Sequence, residues 1–295
     1  MRFLVFQLGA GTAVAALKGV VAASGGLAGI RAVNLSEVAP EIGPDLQILA
    51  QWGPQKLLEI SALIDASEAT LMAEDLRPAL PIARPGKVIC LGLNYVEHAK
   101  EGGHEVPTYP ALFMRANTSL MAAGEPMVRP RASERLDYEA ELMLIIGKGG
   151  RHISEAEALD HVFGYTTFND GSVRDFQRKT HQWTPGKNFD STGPVGPIVV
   201  TPDELPPGAA GLRIQSRLDG EIMQDANTRD MMFPVVETIA ILSEYTTLEP
   251  GDLIAMGTPK GVGHARKPPV FMKPGQTIEI EIEGIGVLAN PVVAE

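Results

Sequence analysis

The stretch RLDYEAELMLIIGKGG, Arg135 to Gly150, constrains this chain more than any other. It reads as a β-strand running into a glycine-rich turn. Side chains in a strand alternate between two faces, so Asp137, Glu139 and Glu141 are expected on one face and Tyr138, Ala140, Leu142 and Leu144, buried, on the other. Read alone, the acidic face fits a solvent-exposed edge whose charges discourage aggregation. It equally fits a strand that shares a cation, and a further acid elsewhere in the chain would favour that reading.

The chain divides at LRPALPIARPGK, where three prolines in twelve residues exclude a regular helix or a central strand. A boundary is expected near residue 80, with a small α+β domain over 1–80 and a larger, predominantly β domain over 81–295. In the first part, RFLVFQL and AVAALKG flank the turn GAGT and predict a hairpin. The same residues resemble a signal peptide ending near Ala22-Ala23-Ser24, but Gln7, the glycines and Lys18 interrupt the apolar run. GAGTAV is no dinucleotide loop, because no βαβ unit follows it. GPQKLLEISALIDASEATLM reads as helical. In the second part, Pro-Gly turns punctuate the chain and TIEIEIEGI alternates strictly, as a half-buried strand does.

Two further segments carry chemistry. In GYTTFNDGSVRDFQRKT a strand and an Asx-type turn lead to a helix start marked by Ser172 and, three residues on, Asp175. Arg174 and Gln177 share a face of that helix, and Asp170 supplies a third carboxylate. Three protein oxygens completed by water suit Mg²⁺ or Mn²⁺, and no Cys/His cluster has zinc spacing. In CLGLNYVEHAKEGG, Asn94 with Glu97 predicts a capped short helix ended by Gly102-Gly103. His98 and Glu101 are i,i+3 neighbours on it, an arrangement that orients an imidazole as a general base. A surface His-Glu pair with no catalytic role has the same spacing.

With 25 basic and 36 acidic residues the net charge is −11, which argues against nucleic acid or an anionic membrane as partner. One cysteine, Cys90, excludes an intramolecular disulfide and suits a reducing cytoplasm; its apolar setting, VICLGL, predicts inert packing. No run reaches the ~20 apolar residues needed to span a bilayer.

Seven motifs, LGLNYVEHAKE, DYEAELMLIIGK, GYTTFNDGSVRDFQ, TPGKNFDSTGPVGP, DGEIMQDANTRDMMF, LEPGDLIAMGTPKGVG and EGIGVLAN, stand in the order found in the fumarylacetoacetate hydrolase family. The resemblance covers about Pro85 to Val292. It implies a mixed β-sandwich roll preceded by the family's variable N-terminal domain, one divalent metal and a homodimer. The metal would be Mg²⁺ or Mn²⁺, with Ca²⁺ a substitute in crystals. Position by position, Glu139, Glu141 and Asp170 match the metal ligands, with Asp137 outside the pair. His98 and Glu101 match the dyad that activates water in hydrolytic members. Arg174, Gln177, Lys187 of GK and Thr258 of GTP match residues lining the substrate site. Arg115 replaces a lysine common in relatives, and His104 in the lid-like EGGHEVPTYP lies outside the pattern. These departures bear on substrate choice.

The expected reaction is metal-dependent cleavage of a carbon–carbon bond in a β-diketo or acylpyruvate-type 2-oxo acid. His98 oriented by Glu101 would activate water, and Lys187 would hold the developing oxyanion. Isomerisation, decarboxylation or hydration of an unsaturated 2-oxo (di)acid, from breakdown of aromatic compounds or sugar acids, is the alternative. A non-catalytic binding protein that kept the fold would lack a ligand or the dyad, and neither is missing.

Overall fold

The computed structural model describes residues 1–19, 26–103 and 105–295. The architecture follows from a strand that is buried on both faces. Ala140–Ile146 has every residue buried, because it lies inside a 12-stranded mixed sheet between Val162–Asn169 and Leu253–Ala255. Its even-numbered side chains, Ala140, Leu142, Leu144 and Ile146, enter one core. Met143 and Ile145 enter a second core on the opposite side. Fully burying an aliphatic side chain of this size contributes about 1.5–3 kcal/mol, so the strand is a rigid mount for what it carries. An exposed acidic edge is excluded.

The first core lies between the large sheet and a five-stranded sheet, ordered Glu221–Asn227, Arg213–Leu218, Thr277–Ile282, Gly286–Ala294 and Met127–Arg129. TIEIEI alternates as its sequence predicts: Ile278, Ile280 and Ile282 face inward, while Glu279 and Glu281 pair with Arg217 outside. The second core is closed by helices from the first 70 residues, through Leu35, Leu49, Ile60 and Ile64. The expected helical patch is the helix Pro54–Ala66. The result is the mixed, predominantly β roll that the motifs imply.

The expected N-terminal hairpin forms from Arg2–Leu8 and Gly11–Lys18, whereas Ala22-Ala23-Ser24 fall outside the described residues. Arg2–Leu8 also pairs with Ile198–Val200, so the first strands continue the large sheet and share its cores. The proline-rich segment runs irregularly alongside, with Ala79 N donating to the Val5 carbonyl. No helix among the described residues is long and apolar enough to cross a membrane.

Two local expectations are corrected. Asn94 does not cap the helix Val96–Glu101: its buried side chain accepts from Phe233 N and donates to the Phe233 and Met256 carbonyls. Ser172 and Asp175 form no capping box, because Ser172 Oγ donates to the Asp170 carbonyl and Asp175 accepts from Ser133 Oγ. Asn94 thus finds buried tertiary partners, whereas Ser172 turns back on the backbone two residues before it. Cys90 is fully buried, and burial raises its thiol pKa well above the ordinary value. We therefore expect Cys90 in the native protein to resist thiol reagents at pH 8 and to react once the chain is unfolded in denaturant.

Candidate active site

The three acids of the opening stretch do not share one strand face. Leu136–Asp137 pairs with Ser172–Val173 in a separate two-stranded ladder, and the large sheet takes up the chain only from Ala140. Asp137 thereby turns to other partners. Its carboxylate accepts from Gly263 N at 2.8 Å, His264 N at 2.9 Å and Arg174 Nε at 2.8 Å, with His264 Nδ1 at 3.2 Å. Burial opposes its ionisation, but Arg174 and the His264 bonds prevail and hold it below the usual carboxylate range.

Glu139 and Glu141 converge with Asp170, each offering an oxygen within 4.8 Å of the others, and all three are buried. Strand register produces this. Ala140 pairs with Asn169, and Asp170 N donates to the Glu139 carbonyl, so the turn after the neighbouring strand lands beside Glu139. Lys187 Nζ bridges Glu139 Oε2 at 2.7 Å and Asp170 Oδ2 at 2.6 Å. Arg174 Nη1 reaches Glu139 Oε1 at 2.6 Å and Gln177 Oε1 at 2.9 Å. Burial works against ionising Glu139, yet Lys187 and Arg174 outweigh it and keep its carboxyl well below the ordinary range.

Glu141 has no such cation. Desolvation, then the like charges of Asp170 and Glu139, push its carboxyl well above the ordinary value. Its charged form gains one hydrogen bond from Gly257 N, at 3.0 Å, from a backbone with φ of +86° that suits glycine. Three buried carboxylates, one of them without an ion-pair partner, fit a hard divalent cation that takes oxygen ligands. The triad could hold one, through Glu139, Glu141 and Asp170.

His98 lies on the helix Val96–Glu101, buried, with Nδ1 at 2.9 Å from Glu101 Oε1. A carboxylate on Nδ1 assigns the ring proton there and leaves Nε2 as the basic nitrogen. Glu101 is itself anchored, accepting from Gly261 N of the GTPKGVG loop at 3.0 Å. Thr258 on the same loop accepts at Oγ1 from Gln224 Nε2, 2.8 Å away. A cavity of about 100 Å³ joins these groups, lined by His98, Glu139, Glu141, Arg174, Gln177, Lys187 and Thr258, with Phe113 and Trp183 as an apolar wall. All nine expected site residues therefore gather at one place: seven line the cavity, Asp170 lies behind it on Lys187, and Glu101 stands behind His98.

Gly186 makes part of this possible. A Cβ there would sit 2.4 Å from Gln177 N, so only glycine lets the turn Thr184–Lys187 press on Arg174–Gln177 and deliver Lys187 to the carboxylates. We expect Gly186→Ala to cost about 1–3 kcal/mol of stability, measured by denaturant unfolding, as overpacked cores do.

Arg115, expected to bear on substrate choice, is instead buried behind Asp170, donating to its Oδ1, to Thr192 Oγ1 and to Ser119 Oγ; it does not line the cavity. Sequence reasoning missed other supports. Gln224 and His264 arrive from distant segments, and nothing in their own neighbourhood marks them. Trp183 packs against Gly92, where a Cβ would meet its ring at 2.1 Å, and edge-on to Phe113 with ring centroids 5.6 Å apart. The glycine of CLGLN was the one available signal. His104 lies outside the described residues.

A buried carboxylate triad gathered where two central strands meet, beside a His-Glu dyad in a small cavity, is the arrangement of an enzyme site. Residues 87–293 match the family model described as fumarylacetoacetate (FAA) hydrolase, C-terminal, and the chain belongs to that family, whose members act as hydrolases, isomerases and tautomerases. The chain is 38% identical over 263 residues to the mitochondrial oxaloacetate tautomerase fahd2 of Xenopus laevis, covering 88% of this chain and 82% of that one. A fumarylacetoacetate hydrolase from Exiguobacterium antarcticum superposes with a TM-score of 0.80 at 32% identity, covering both chains fully. A 2-hydroxyhepta-2,4-diene-1,7-dioate isomerase from Mycobacterium marinum gives a TM-score of 0.76 at 31% identity, covering 100% of this chain and 99% of that one.

Proposed function

We propose that this protein moves a proton on a small 2-oxo acid, interconverting its keto and enol forms or shifting a double bond conjugated with the carbonyl. The observation that carries the proposal is the His98–Glu101 dyad opening into the same cavity as the carboxylate triad. A cavity of about 100 Å³ favours a compact substrate such as a four-carbon keto diacid. The identity to an oxaloacetate tautomerase supports the same choice. This reverses the order of the two reactions expected from sequence, where cleavage came first.

A divalent cation held by Glu139, Glu141 and Asp170, Mg²⁺ being our first candidate, would supply Lewis acidity that makes the carbon beside the carbonyl more acidic. His98 Nε2 takes the proton from that carbon, and Glu101 stabilises the imidazolium that results. The same nitrogen then delivers the proton to the carbonyl oxygen, giving the enol, or to the far carbon of the conjugated system, giving the shifted double bond, so atoms and charge balance. Lys187 spends two of its three N–H donors on Glu139 and Asp170, leaving one for the oxygen on which charge develops. Burial opposes its charge, but the two carboxylates raise its pKa and keep it an ammonium. Arg174, Gln177 and Thr258 orient the carboxylate end of the substrate.

Carbon–carbon bond hydrolysis is the second reading, because an oriented imidazole that removes a carbon-bound proton can equally take one from water. Incubating the protein with Mg²⁺ and, in turn, oxaloacetate, an unsaturated 2-oxo diacid and an acylpyruvate, then identifying products, separates the two. Keto–enol or double-bond isomers support the proposal. Cleaved acids from the acylpyruvate alone would replace it with hydrolysis. We further propose a cytoplasmic homodimer, on the single cysteine and the habit of the family.

A further inference from the structure

The histidine needs a mount. His98 and Glu101 stand on a helix of six residues, Val96–Glu101, too short to be stable without tertiary contacts. Glu141 lies within, and Glu139 next to, a strand buried on both faces. An imidazole misplaced by about 1 Å against those carboxylates would lose about 100-fold in rate. The end of the helix is tied down by Gly261 N, which donates to both oxygens of Glu101, at 3.1 and 3.0 Å.

The loop that supplies this N–H is gripped from the strand side. Tyr138 Oη donates to the Gly261 carbonyl at 3.2 Å. Arg266 reinforces the grip, with Nε on the same carbonyl at 3.3 Å and Nη2 on the Met223 carbonyl at 2.6 Å. Two residues along, Asp137 accepts from Gly263 N and His264 N, at 2.8 and 2.9 Å. A Cβ on Gly261, whose φ is +103°, would sit 2.5 Å from the Met223 carbonyl oxygen, so the loop passes here without slack. Asp137 and Tyr138 are fully buried, and neither lines the catalytic cavity. They immediately precede Glu139, so one short stretch of backbone sets both the loop and two of the three converging carboxylates.

We propose that Asp137 and Tyr138 are positioning residues for the His98–Glu101 dyad, acting through the loop Gly261–His264 and the Gly261 amide. They set where the basic nitrogen of His98 stands relative to the carboxylate triad. This rests on His98 as the base of the proton transfer, and it adds the residues that aim it.

The test uses the full-length protein with Mg²⁺ and oxaloacetate. Tyr138→Phe removes one hydroxyl at nearly constant shape and is expected to lower kcat about tenfold, with KM and the Mg²⁺ Kd unchanged. In a Glu101→Ala background the loop no longer reaches the dyad, and the same substitution is expected to have no further effect. Asp137→Asn, which also loosens Arg174, is expected to lower kcat about 100-fold and to raise KM. Tyr138→Phe decides the matter if Asp137→Asn does not fold. A readout that needs no turnover is the proton NMR resonance of His98 Nδ1–H, identified by its loss in His98→Ala. It is expected to be sharp in wild type and broadened by exchange with water in Tyr138→Phe. An unchanged kcat in Tyr138→Phe overturns the proposal, as does an equal loss of kcat in the Glu101→Ala background. If the wild type turns over no 2-oxo acid, the proposed reaction fails and the resonance decides: broadening supports the positioning role, and an unchanged resonance overturns it.

Discussion

Replacing Glu139 by alanine should abolish turnover and divalent-cation binding together. Glu139 holds Lys187 with one oxygen and Arg174 with the other. Losing a residue that merely supports a metal ligand typically costs 10- to 100-fold in affinity or activity. Losing a direct ligand should exceed the upper end, more than about a hundredfold. Alanine would also take one of two carboxylate partners from each of two buried cations, leaving Lys187 on Asp170 and Arg174 on Asp137. The loss of stability should therefore stay below the roughly 3–5 kcal/mol of a fully broken buried pair. Glu139→Gln separates the effects, because the amide keeps an acceptor for one cation while removing the charge. In wild type, saturating Mg²⁺ at a hundredfold over its Kd should stabilise the fold by about 2.7 kcal/mol, a rise of about 5 °C in Tm. Glu139→Gln should lose that rise, and a wild-type Tm indifferent to Mg²⁺ and Mn²⁺ would count against the triad as a metal site.

Replacing His98 by alanine should leave cation binding intact and lower kcat by about 100- to 10,000-fold, the usual contribution of a positioned acid-base group. His98 is not one of the converging carboxylates, so metal titration of the variant should resemble wild type. Glu101→Gln should have a smaller effect in the same direction. The amide can still receive Gly261 N but no longer stabilises an imidazolium. A His98→Ala enzyme with normal turnover would remove the dyad from the mechanism.

The parts of the site visible in the sequence were those set by local periodicity. Glu139 and Glu141 are two residues apart, and His98 and Glu101 are three, so backbone geometry alone brings each pair together. Asp170 was offered by its Asx-type turn as a third carboxylate, while Lys187 and Thr258 were reached through motif order; the register of Ala140–Ile146 on Val162–Asn169 places Asp170, and the packing of Gly186 on Gln177 places Lys187. Asp137 was misjudged as a third member of the acidic face, since the ladder changes partner between it and Ala140. Asn94 and Ser172 were read as caps; tertiary hydrogen bonds claimed the first and a local bond to the Asp170 carbonyl the second. The supports from Arg115, Gln224 and His264 depend on contacts across 55, 34 and 127 residues of chain, beyond any local pattern.

The most direct test of proton transfer at a metal-assisted 2-oxo acid site follows exchange at carbon. With Mg²⁺ in deuterated buffer, NMR would record deuterium entering the carbon beside the carbonyl of oxaloacetate, against the uncatalysed rate. Wild type should accelerate exchange well above background, His98→Ala should return it close to background while still binding Mg²⁺, and Glu139→Gln should lose both. Exchange in His98→Ala at the wild-type rate would contradict the account.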